Sequence, residues 1–164
     1  MKAITIIQPW ATFLALEEKR FETRSWATRH RGPIAIHAGK KVDKRICREE
    51  PFCSILAKHG YTADNLPTGA VIALANLQSC YAVTRPFGEK GDVWLETEGK
   101  LVIWDAPRLV ALAAHKGHEY AFGDYGHGRY AWEMTDVRLL EEPVLAKGMQ
   151  GLWNWEEQAE QPCE

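Results

Sequence analysis

Residues 69–83, GAVIALANLQSCYAV, are almost continuously apolar and rich in strand-forming side chains, and they are bounded by Pro67 and by Arg85-Pro86. Such a run has few ways to fold, and it predicts a long buried strand at the centre of a sheet. Its length predicts a bend or bulge along the way.

The N-terminal half reads strand, helix, strand, strand over residues 3–7, 10–18, 20–25 and 33–38. Pro9 falls at the first helical position, and Arg31-Gly32-Pro33 breaks the chain before the last strand. Asp43 is placed to cap a first turn through Arg48. Pro51 then opens a second helical run, PFCSILAKH, that Gly60 can close in a left-handed cap. Residues 84–100 are polar and acidic and read as a loop with little core potential. LVIW at 101–104 is strand-like, with a helix-like run after Pro107. Beyond the turn chemistry of FGDYGHG, Tyr130, Trp132 and Met134 share one face before Val137 and Leu139 take the opposite parity, which predicts another bulge.

Several short strands, two or three helices and no regular alternation of the two argue against a doubly wound sheet. They predict an α+β domain, a small closed β-barrel with appended helices. At 164 residues with 46% hydrophobic content the chain suits one domain. Residues 1–156 are expected to form it, with 157–164 as a short C-terminal tail. No apolar run approaches the roughly 20 residues of a membrane span, and Met1-Lys2-Ala3 leads straight into a strand, so no membrane partner and a cytoplasmic location are expected. Cys47, Cys53, Cys80 and Cys163 contain no C-x-x-C pair, so neither a disulfide framework nor a zinc site is expected, and no cofactor is implied.

Charge is unevenly spread. Residues 1–48 hold eleven Lys or Arg against four acids, although the whole chain carries only −2. A basic third within a near-neutral protein can present one face to a polyanion, or can simply be a solvated basic surface.

Much of that charge lies in residues 8–40, between core elements. If 20–25 is extended, Glu22 and Arg24 project from one face about 7 Å apart while Thr23 and Ser25 face the other way. Lys19 at the strand entrance then places a carboxylate between two cations. Such a row is either an ion-paired rim or the floor of a ligand site. Trp10 and Trp26 serve equally as core or as platforms for a base. Gln8 suits a base edge or a buried backbone contact. Arg29, His30 and Arg31 suit phosphates or a solvated loop. His37, within an apolar strand, reads as a hydrogen-bonded core histidine.

Gln8-Pro9-Trp10-Ala11, then Lys19-Arg20-x-Glu22-x-Arg24-Ser25-Trp26, then Arg31-Gly32 before PIAIHA resemble the ASCH domain, especially its stand-alone prokaryotic members. The blocks LPTGAVIALANL, FGDYGHGRYAWEM and GMQGLWNW extend the resemblance over most of the chain. It implies a PUA-like β-barrel that binds RNA, with helix 10–18 and residues 19–31 lining a cleft. The family signature G-x-K-x-x-E-x-R falls on Lys19, Glu22 and Arg24, with Glu17 in the Gly position. Loss of that Gly implies an altered turn into the strand.

The resemblance implies nucleic-acid binding, of RNA first and DNA as a possibility, or binding of a nucleotide, through Gln8, Trp10, Lys19, Glu22, Arg24, Ser25, Trp26, Arg29 and Arg31. The alternative is a hydrolase, either a ribonuclease or an amidohydrolase acting on N4-acylated cytidine. Lys19 and Glu22 would then be catalytic, with Glu133 the candidate for a further carboxylate. The amidohydrolases carry Thr where Glu22 stands, so their nucleophile is absent.

Overall fold

A computed structural model describes residues 1–84, 93–97, 100–104 and 118–156. One mixed sheet dominates, in the order β2 (Phe21–Arg24), β7 (Tyr130–Leu145), β4 (Ala70–Thr84), β3 (Gly32–Val42), β1 (Lys2–Gln8), β8 (Leu152–Asn154). The apolar run is indeed its middle strand. β4 pairs antiparallel with β3 and β7, and its far end continues into the hairpin of β5 (Val93–Thr97) and β6 (Lys100–Trp104).

The expected irregularities are present. Between Leu77 and Ser79 β4 spends two steps against one in β7, and between Thr135 and Arg138 β7 carries the extra residue, where Asp136 takes φ +50°. This bulge turns the parity from Met134 to Val137. Residues 84–100 depart from the loop expectation, because 93–97 form β5. Its buried Leu95 is paired to the overhang of β4, a long-range contact that local polarity hides. The strand at 101–104 stands as β6, whereas the helix-like run after Pro107 and the tail 157–164 lie outside the described residues. The α+β class holds, but β2 and β8 remain separate edges among the described residues, so the sheet does not close into the expected barrel.

Helix α1 (Trp10–Ala15) packs Ala11 and Leu14 on Ile4, Ile6, Ile34, Ile36, Leu77 and Trp132. It is shorter than the sequence pattern because Glu17 takes φ +58°. Glu17 N–H donates to the Leu14 carbonyl and Glu18 N–H to that of Phe13, the bond pair of a Schellman cap. The second helix, α2 (Phe52–Lys58), ends in the same way at Gly60, φ +76°. Glu17 thus occupies a position usually given to Gly, and the turn keeps the form that its loss was expected to change. Phe13, Phe52, Leu56 and Phe122 make a second cluster beneath the helices. Asp43 Oδ1 accepts from Ile46 N–H at 3.1 Å and caps the 3-10 turn Ile46–Arg48, as anticipated. Among the described residues no helix is long and apolar enough to cross a membrane.

Candidate nucleic-acid interface

The Schellman turn delivers Lys19 to the mouth of β2, with Lys19 N–H bonded to the Phe13 carbonyl. Its side chain turns inward and is buried. The ammonium donates to the Phe21 carbonyl and lies 3.3 Å from Glu22 Oε2. Arg24 Nε lies 3.1 Å from Glu22 Oε1, an ionic contact without hydrogen-bond alignment, and Arg24 Nη2 donates to the Thr5 carbonyl at 2.9 Å. The carboxylate between two cations therefore exists, and strand alternation places it as expected. It is also braced, with Arg24 spanning from β2 to β1.

This row lines a cleft of about 500 Å³. Trp10 and Trp26 line it as well, both half-buried. Trp10 sets its ring edge-on to Phe52 at 5.9 Å, and Trp26 meets Trp132 edge-on at 4.6 Å. Each is therefore anchored on the core and exposed to the cleft, so the two sequence readings are compatible. Ser25 joins the rim.

Other candidates are elsewhere. Gln8 is fully buried: its Nε2 donates to the Pro67 carbonyl at 2.7 Å and its Oε1 accepts from Thr12 N–H at 3.0 Å. Both ends of the amide are engaged, so the base-edge role is replaced by the backbone one. Arg29 and Arg31 are exposed outside the cleft, and Arg31 donates to the carbonyls of Thr28 and His30. Glu133 pairs with Phe21 in register and so projects from the opposite face to Glu22. It meets Arg20 and accepts from Tyr81 O–H at 2.9 Å, away from the Lys19 row. His37 is the buried, hydrogen-bonded histidine expected, with Nε2 3.0 Å from the Ala146 carbonyl.

Residues 118–129 supply what the sequence reading missed. Phe122, Asp124 and Arg129 line the cleft. Asp124 N–H donates to Thr23 Oγ1 at 2.9 Å, and Arg129 Nε lies 3.2 Å from Asp124 Oδ2. Behind them buried Glu119 accepts from the backbone N–H groups of Arg20 and Phe21 and from Tyr125 O–H at 3.0 Å. Burial above all, then the Glu119 charge and bond, pushes the Tyr125 hydroxyl well above its ordinary pKa, so it stays a donor. An Asp and an Arg within a Gly-rich turn were the only sequence signal.

Burial likewise raises the pKa of the Cys47 and Cys80 thiols, which disfavours the thiolate. Cys47, Cys53 and Cys80 are free. Among the described residues no group of three His, Cys, Asp or Glu side chains is arranged to hold a metal ion.

A family model described as the ASCH domain matches residues 4–143. Solved structures similar to the chain include the ASCH protein of Zymomonas mobilis, at 15% identity over 96% of this chain and 87% of that one, with a TM-score of 0.47. Two mutants of that protein are similar at 15% and 16% identity over 96% of this chain, covering 90% and 88% of theirs, with TM-scores of 0.47 and 0.43. No curated protein matches the sequence.

Proposed function

The chain belongs to the ASCH domain family, and on that premise we propose that it binds nucleic acid, RNA in the first place, or a nucleotide, by stacking a base on Trp10 or Trp26 above the Lys19, Glu22 and Arg24 floor. The family has a PUA-like fold generally linked to RNA binding. The observation that carries the reading is the conjunction in one cleft of two anchored indoles with a preorganised ionic row. Stacking on a rigid aromatic contributes about 1 to 3 kcal/mol per base and tolerates any base. A fixed guanidinium edge adds a donor for a phosphate or a carbonyl.

A ribonuclease or amidohydrolase would use the same cleft. General-base chemistry needs a group free to take a proton. Both Glu22 oxygens face cations and the Lys19 ammonium is turned to a carbonyl, so the arrangement favours holding over turnover. Incubation with short RNAs and with acylated cytidines tests both readings, comparing wild type with Trp10→Ala, Lys19→Ala and Glu22→Gln. Salt-sensitive binding weakened by Trp10→Ala, with no product, is the expected result. Product formation abolished by Lys19→Ala would replace binding with catalysis.

A further inference from the structure

A second cavity, of about 850 Å³, adjoins the cleft at Thr5. Thr5 lines both cavities: its carbonyl holds Arg24 at the first, while its hydroxyl accepts from Trp153 Nε1 at 3.1 Å. Two lysines line the second cavity, Lys40 and Lys147, both exposed, and no carboxylate does so among the described residues. Among the described residues neither lysine is within ion-pair distance of an acid, whereas Lys44, Arg45 and Lys58 each meet one.

The basin is built rather than accidental. Gly69 N–H donates to the Ala38 carbonyl at 2.8 Å and Ala146 N–H to that of Gly69 at 3.1 Å, which fixes the segment carrying Lys147 to β3. His37 Nε2 meets the Ala146 carbonyl, and a side chain at Gly148 would lie 2.5 Å from the His37 ring. Only glycine allows that approach. The Lys40 stem lies across Gly69, 3.6 Å from where a side chain would stand there. Burial holds the His37 pKa below its ordinary value, so the positive charge of the basin is that of the two lysines.

We propose that this basin is a phosphate subsite for the nucleic acid held in the Trp10 and Trp26 cleft, so that the ligand is an oligonucleotide crossing β1 at Thr5 rather than a free nucleoside. The inference rests on the cleft reading above. Two ammonium groups with no acid beside them among the described residues attract a phosphodiester, and the shared Thr5 brings the two sites within reach of one short strand.

The test is fluorescence anisotropy with a labelled oligouridylate of about eight nucleotides, with uridine monophosphate as the short probe, each across a salt series. The Lys40→Ala/Lys147→Ala variant is expected to bind the oligonucleotide about tenfold more weakly, with a salt slope shallower by about 1.4, and to bind the monophosphate as wild type does. The Lys40→Arg/Lys147→Arg variant should restore binding. Unchanged oligonucleotide affinity and slope would overturn the subsite and leave the cleft reading intact, provided Trp10→Ala still weakens binding. Equal losses for both probes would also overturn it. If wild type binds neither probe, the cleft reading fails and the subsite with it; binding of the monophosphate alone would overturn the subsite and leave the cleft as a nucleotide site.

Discussion

The Lys19 ammonium stands 3.3 Å from Glu22 Oε2, and both side chains are enclosed. Breaking a buried ion pair from one side leaves an uncompensated charge. Glu22→Ala should therefore destabilise the fold by about 3 kcal/mol in urea unfolding, while Lys19→Met/Glu22→Leu should recover most of the loss. A loss under about 1 kcal/mol for Glu22→Ala would mean that water reaches the ammonium.

Glu17 holds φ +58° at the end of α1, a conformation that costs an L-residue about 1 to 2 kcal/mol. Its side chain is exposed. Glu17→Gly should stabilise the protein by about 0.5 to 1 kcal/mol after the added freedom of the unfolded chain is counted, whereas Glu17→Ala should not. Thermal unfolding of the two variants decides this, and equal melting temperatures would show that the left-handed turn is not strained.

Acid sensitivity should have two windows. Burial lowers the His37 pKa, partly offset by its bond to the Ala146 carbonyl. The unfolded chain thus binds a proton that the folded one rejects, and stability falls as pH drops below about 6.5. Burial raises the Glu18 pKa, but hydrogen bonds and charge from His59 and Lys58 outweigh it and lower the net value, so that contribution is lost only in more acid solution. Denaturation midpoints measured across pH should lose the upper slope in His37→Gln and keep the lower one. A slope unchanged in His37→Gln would assign the upper window to another group.

Trp10 and Trp26 differ in what their loss should do. Trp10→Ala should weaken RNA binding by about 1 to 3 kcal/mol. Trp26→Ala should weaken binding and also lower stability, because it removes the edge contact with Trp132. Binding isotherms alongside unfolding curves separate the two effects. Loss of stability without loss of binding in Trp26→Ala would make it a core residue only.

The parts legible in the sequence were those carried by local pattern. The apolar run of β4, the Pro51 start and Gly60 stop of α2, and the parity change at Asp136 follow from periodicity and turn chemistry. The common face of Glu22 and Arg24 follows from strand alternation. Register and long-range contact are not local. Glu133 faces away from Glu22 because it pairs with Phe21. Asp124 reaches the cleft through a bond to Thr23, a residue remote in sequence. Gln8 ends up sealed by Pro67, which no spacing announces. Barrel closure failed as an expectation for the same reason, since edge pairing is a global property.

The most direct test of the cleft reading is an NMR titration of the labelled protein with the short oligouridylate, following the assigned indole Nε1–H signals. Base stacking in the cleft predicts saturable shifts and intermolecular nuclear Overhauser effects at Trp10 and Trp26, with the core indole of Trp132 perturbed only through Trp26. Saturable RNA binding that leaves the Trp10 and Trp26 signals unmoved would contradict it.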